Sequence, residues 1–333
     1  MSKATRPARF FRIGLLAVLF ALAAVVFGAY TRLSDVGFGC PDGPACTAQP
    51  VSPQTVQAAI DLRPLQPHAW KDMVARYIAG AQGLFLIQLA VLGWQLRHRP
   101  GQQVVIPVVT LLLVFGLTAV AVFTIDLHEK PVVMMIQYLG SLLVLALLWW
   151  VVLRQQRVFR SVTASPLTRS LRPRAAAAFV LTMFAIVLGA WSMFNYAGPA
   201  CPDFPMCQGE YWPTMDLGHG LVQWSAEGLA YDRTELDLAA AIGIQFAHRL
   251  AALAATLYAG WLALRLLRIG MQDAICRYGL LLLVMLSFNV AFGIMQAVGG
   301  MPLTVGVAHG AASALLMLTL VTLYHVLRAP PQK

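Results

Sequence analysis

Gly28-Ala-Tyr-Thr-Arg-Leu-Ser-Asp-Val-Gly-Phe-Gly-Cys-Pro-Asp-Gly-Pro-Ala-Cys46 aligns without a gap on Gly189-Ala-Trp-Ser-Met-Phe-Asn-Tyr-Ala-Gly-Pro-Ala-Cys-Pro-Asp-Phe-Pro-Met-Cys207, at an offset of 161 residues and with eight of nineteen positions identical. Each copy leaves an apolar stretch and enters a long polar segment. The chain therefore reads as two homologous units in parallel orientation, each opened by one such helix-to-loop transition. Around these copies the 333 residues are 59% apolar and only 11% charged, with a mean hydropathy of +0.70. That composition describes a membrane protein and excludes a large soluble catalytic domain. A crossing helix needs about twenty apolar residues, so the length accommodates roughly eight crossings with short connections.

Apolar windows bounded by charges and Pro/Gly clusters predict spans near 11–29, 71–95, 103–124, 131–153, 175–194, 237–264, 276–297 and 301–326. The expected fold is an all-α polytopic membrane protein of eight transmembrane helices in two four-helix bundles. The amino-terminal unit covers 1–153, a basic linker 154–174 and the carboxy-terminal unit 175–333. With eight spans both termini share a side, and that side collects 17 of the 24 basic residues against one acid, Asp273. Basic loops stay in the cytoplasm, so the termini are expected there, in the inner (plasma) membrane, with loops 30–70 and 195–236 outside. The net charge of +10 is thus topological and argues for lipid rather than nucleic acid as the surroundings. The eight tryptophans fall near span ends or in the outer loops, as interfacial anchors would.

Within the repeat, Cys-Pro-Asp-x-Pro-x-Cys pairs Cys40 with Cys46 and Cys201 with Cys207 on the side where disulfides persist. Two short disulfide-closed loops are the favoured reading. Zinc is the competing one, although its ligand pairs are usually closer and no histidine joins either turn. Cys276, at a helix end, reads as a bystander.

Of seven histidines, His98 and His325 lie at cytoplasmic helix ends, and His68, His128 and His219 in or beside outer loops, where solvated side chains are expected. His248, in Gln245-Phe-Ala-His-Arg249, and His309, in Val305-Gly-Val-Ala-His-Gly310, fall inside the sixth and eighth spans, about 12 to 17 Å below the outer ends of their helices. Ionisable side chains at membrane depth are costly and mark function. Two imidazoles converging from facing helices, with Gly310, Ala311 and Ala312 leaving room, suit a porphyrin held at both axial positions. A pair of interhelical hydrogen bonds is the plainer alternative. Arg249 is a candidate cation for heme propionates.

These features, together with Trp70-Lys-Asp-Met-Val-Ala-Arg-Tyr-Ile-Ala-Gly80, resemble the heme A synthase family over essentially the whole chain. The resemblance implies oxidation of a methyl group of heme O to the formyl group of heme A, needed by cytochrome oxidase. It further implies a heme b cofactor between His248 and His309, as metal ligands, and a substrate heme in the amino-terminal unit. There the family pattern has histidines where this sequence has Ala75 and Gln137, and the repeat agrees, aligning Ala75 on His248 and Gln137 on His309. Asp72 occupies the position of the family's assisting glutamate and Arg76 lies one turn on, so both are catalytic candidates. A pocket between the second and fourth helices, lined by Asp72, Ala75, Arg76 and Gln137, is expected to hold a porphyrin weakly. Heme O synthase, oxidase assembly factors and a membrane electron donor are the implied partners. A non-catalytic heme-binding or electron-transfer paralogue and a transporter are the rival functions.

Overall fold

The computed structural model describes residues 6–35, 69–99, 101–123, 131–155, 166–221, 236–269 and 274–328. They form α1 (Arg6–Asp35), α2 (Ala69–Gln95), α3 (Val105–Phe123), α4 (Pro131–Gln155), α5 (Pro166–Phe194), the short α6 (Leu217–Leu221), α7 (Leu238–Leu267), α8 (Ala274–Val298) and α9 (Leu303–Val326). A helix satisfies its own backbone hydrogen bonds, which a hydrocarbon environment demands. Starts follow local chemistry: Pro131 and Pro166 open α4 and α5, and the Asp237 carboxylate caps α7 by accepting from the Ala240 amide at 2.7 Å.

Among the described residues, seven helices are long and apolar enough to cross a membrane. α3, with 19 residues, is a shorter apolar helix. All run close to the predicted spans but extend past several ends. The predicted linker 154–174 is partly helix, because α4 continues to Gln155 and α5 begins at Pro166 and accommodates Pro173.

α1, α2, α3 and α4 pack in a ring, each on the next and α4 back on α1; α5, α7, α8 and α9 form a second ring in the same order. The rings meet where α1 and α4 pack on α9 and where α4 packs on α5. Small residues let α1 and α9 approach closely: a β carbon on Gly306 would come within 2.9 Å of Leu33, and one on Gly310 within 3.8 Å of Ala29. Bulkier groups fill the other seam, where the Tyr138 and Phe194 rings meet at 6.0 Å.

Each ring is packed solid at its arginine-rich end. Phe10, Leu86, Leu89, Leu142, Leu145 and Leu148 fill the first ring, and Leu171, Leu262, Leu266, Leu282 and Leu320 the second. Leu19, Leu112, Leu257 and Phe288 remain exposed, the surface a lipid-facing bundle requires. The loop end of the second ring opens into a cavity.

Three side-chain expectations need correction. Trp191 is no interfacial anchor: it is 2% exposed, and its indole donates to the Gly220 carbonyl at 2.9 Å, pinning α6 to α5. Trp149 likewise turns inward, donating to Thr322 Oγ1 on α9 at 2.8 Å. His325, expected in solvent, is buried against the Trp150 ring at 5.2 Å because α9 is enclosed by helices along its final turns. Trp70, Trp94, Trp212 and Trp261 are exposed as expected; Trp224 lies outside the described residues.

Candidate functional site

His248 on α7 and His309 on α9 face one cavity across the second ring. They stand about 15 Å and 9 Å along their helices from Leu238 and Leu303, at 1.5 Å per residue. Each imidazole is tethered through Nδ1 to a backbone carbonyl on one of the other two helices: His248 to Ala185 of α5 at 3.1 Å, and His309 to Asn289 of α8 at 3.0 Å. A carbonyl only accepts, so Nδ1 must carry the proton. The lone pair is thereby left on Nε2. This is the arrangement in which histidine presents Nε2 to a metal while an outer partner fixes the tautomer. Around His309 the tether is reinforced, since Asn289 Nδ2 donates to Ser313 Oγ at 2.7 Å and Ser313 Oγ to the His309 carbonyl at 2.9 Å.

The cavity holds about 550 Å³, within the range that encloses a sizeable organic ligand. Its walls are largely apolar, with Ile186, Leu253, Leu286 and Val290 beside the histidines, and Ala29, Leu33 and Tyr138 reaching in from the first ring. The loop after α5 covers the loop end with Phe204, Tyr211 and Trp212, the last edge-on to Phe246 at 5.2 Å.

That loop is tightly built. Cys201 and Cys207 form a disulfide with Cα atoms 4.6 Å apart, as expected and in place of the zinc alternative. Gln208 and Gly209 make the turn with positive φ of 56° and 77°, and their amides donate to the Asp203 carboxylate at 2.9 and 2.8 Å. Partial desolvation pushes the Asp203 pKa up, but the amides of Gly209 and Gln208 and the charge of Arg249 outweigh it and hold the group below its ordinary value. Arg249 lines the cavity while its guanidinium donates to the carbonyls of Met206 and Cys201 at 2.7 and 2.8 Å. Part of the donor set expected for propionates is therefore engaged in holding the lid. Three guanidinium N–H bonds remain beyond those two.

The first ring differs. Ala75 and Arg76 are exposed on α2, as is Tyr77. Gln137 on α4 accepts from Arg32 of α1 at 3.4 Å through Oε1, and its buried Nε2 has no hydrogen-bond partner among the described residues. The structure thus brings Gln137 to Arg32, a contact the sequence reading did not anticipate. The Asp72 side chain, His68, His128, Cys40 and Cys46 lie outside the described residues, so the Asp72–Arg76 pairing and the first disulfide do too. His219 Nδ1 stands 3.9 Å from an Asp237 carboxylate oxygen, beside the α7 cap. Cys276 is buried at the start of α8, outside any disulfide, with its Sγ 3.9 Å from the Leu267 carbonyl.

The sequence matches the family described as cytochrome oxidase assembly protein over residues 11–321. The chain belongs to the heme A synthase family. It is similar to the heme A synthase of Shewanella oneidensis, 32% identical over 319 residues that cover 93% of this chain and 94% of the relative. It is also similar to the heme A synthase of Symbiobacterium thermophilum, at 29% over 304 residues covering 86% and 85%. For a heme A synthase family member, the second ring has the features a porphyrin site needs. Two imidazoles with Nδ1 tied back face an apolar cavity, and Gly189 and Gly293 leave room where a β carbon would meet the rings at 2.8 and 3.0 Å. The residues present fit a bis-histidine heme.

Proposed function

We propose that this chain is a heme A synthase, an integral-membrane oxidoreductase that converts heme O to heme A for cytochrome oxidase assembly. The single observation that carries the site assignment is the pair of tethered imidazoles across one cavity, in a chain of this family. His248 and His309 would hold heme b by Nε2, and heme b when bound supplies a one-electron redox centre. Ala185 and Asn289 keep both ligands in the Nδ1–H tautomer. The disulfide-closed lid, held by Arg249, shields the loop end from water, and the remaining Arg249 donors suit a propionate. Leu253, Leu286 and the other apolar walls exclude competing polar ligands.

The substrate heme is assigned to the first ring, with Asp72 and Arg76 as its catalytic candidates and Arg32 and Gln137 as polar contacts beneath it. Eight crossings, counting α3, cytoplasmic termini in the inner membrane and two homologous bundles joined around 154–174 complete the reading. The order of packing in the two rings and the arginine-rich end support it. Heme O synthase, oxidase assembly factors and a membrane electron donor are the partners this activity calls for. Ala75 and Gln137, at positions where the family has histidine, favour one alternative: a non-catalytic heme b protein assisting oxidase assembly. Heme extraction from membranes of a strain that makes heme O but not heme A, expressing this chain, separates the two. Appearance of heme A is expected; heme O unchanged beside intact heme b would establish the alternative.

A further inference from the structure

The two histidines sit against the rest of the bundle in the same way. On α5 the carbonyl that receives His248 Nδ1 belongs to Ala185, and four residues later Gly189 lies against the ring. On α8 the carbonyl that receives His309 Nδ1 belongs to Asn289, and four residues later Gly293 lies against that ring. In a helix the carbonyl of residue i already accepts from the amide of i+4, and its second lone pair is flanked by that residue's side chain. A glycine at i+4 bares the flank. The imidazole can then lie on the helix backbone and donate to the carbonyl, which a β carbon would obstruct.

Distances grade the two positions. A β carbon on Gly189 would stand 2.8 Å from His248 Cε1 and 3.1 Å from Nδ1; one on Gly293 would stand 3.0 Å from His309 Cε1 and 3.4 Å from Nδ1. Separations below 3.0 Å are not tolerated, so at Gly189 the ring must move, and the tethered Nδ1 is the first bond lost. By contrast a β carbon on Gly28, the repeat counterpart of Gly189, would meet nothing within 4 Å among the described residues. In that ring the residue aligned with His248 is Ala75.

We infer that Gly189 and Gly293 are positioning residues, a matched pair of backbone notches that set the tautomer and plane of the two axial imidazoles. The inference rests on the bis-histidine reading above. Their role is exercised through His248 and His309, and it predicts effects on the iron that a general packing defect would not produce.

The test uses full-length protein purified in detergent with its heme, as wild type, Gly189→Ala, Gly293→Ala and, as a control in open space on α3, Gly116→Ala. Carbon monoxide uptake by the reduced protein, the low-spin ferric electron paramagnetic resonance signal and heme retention are measured together. Wild type and Gly116→Ala are expected to give a low-spin signal and to exclude carbon monoxide, since both axial positions are taken. Gly189→Ala is expected to bind carbon monoxide, shift the low-spin signal and lose about 10- to 100-fold in heme affinity, the usual effect of removing a ligand's outer partner. Gly293→Ala, the less crowded site, is expected to shift the signal in the same direction by less, and it carries the test if Gly189→Ala does not accumulate. Alanine variants identical to a low-spin wild type would overturn this inference alone. A wild type with no low-spin heme would overturn the bis-histidine reading and the inference with it.

Discussion

The two rings share a fold and differ in what fills their open ends. In the second ring each cavity-lining glycine has a close neighbour: Gly189 the His248 ring, Gly293 the His309 ring, Gly198 the Met301 side chain, Gly306 Leu33 and Gly310 Ala29. In the first ring Gly28, Gly80 and Gly83 have no such neighbour within 4 Å among the described residues, and Ala75 and Arg76 stand exposed. On the proposed assignment, the first ring keeps the backbone path but not the side chains that would grip a metal. A bundle's shape is set by its packed half, here leucine and phenylalanine at the arginine-rich end, so ligands at the other end can be lost at little cost to the fold. A duplicated chain can in this way hold one porphyrin firmly as cofactor and bind a second reversibly as substrate.

The largest expected effect on this contrast comes from the ligands. His248→Ala or His309→Ala should abolish the six-coordinate heme spectrum of the purified protein; normal spectra in both would erase the distinction between the rings. Next is the converse change. Ala75→His with Gln137→His should raise heme content toward two per chain, read by pyridine hemochrome against protein concentration, while either single variant should do little because stable six-coordination needs both sides. A double variant that still holds one heme would mean that the first ring differs in shape as well as in ligands.

Smaller effects test the lid. Cys201→Ser opens a seven-residue ring and should lower stability by about 2 kcal/mol in the chain-entropy picture, seen as a lower midpoint in thermal unfolding followed at the heme band. Unchanged unfolding would remove the disulfide from the list of supports. The smallest effect is a pH response. Asp203 titrates below its ordinary value of 3.8 in the folded protein, so its contribution is complete at neutral pH and is lost only as pH falls through that lowered value. Being largely solvent-screened, it should amount to less than about 1 kcal/mol. Asp203→Asn should flatten this acid limb of the stability profile and lower the plateau above pH 5 by that same amount.

Much of this was legible in the sequence. Long apolar runs ended by arginines, Pro and Gly locate helices because a membrane leaves so few alternatives, and the 161-residue repeat revealed the second loop's cysteines as a pair. His248 and His309 stood out since imidazoles inside apolar spans are conspicuous. The partners of those imidazoles did not. Ala185 and Asn289 act through carbonyls, which carry no residue signature, and Gly189 and Gly293 matter by what they lack. Arg249 was visible as a charge at membrane depth, but the direction of its guanidinium depends on a loop that closes only in three dimensions. Trp191 and His325 misled for the same reason: both sit near helix ends, where linear position suggests solvent, and tertiary neighbours bury them.

The central claim is that one ring grips iron and the other does not. Its most direct test is heme stoichiometry and ligation of the unmodified protein, by pyridine hemochrome and low-temperature electron paramagnetic resonance on one purified sample. The account predicts one heme b per chain with a single low-spin bis-histidine signal that disappears in His309→Ala. Two low-spin hemes b per chain, or one that survives that substitution, would contradict it.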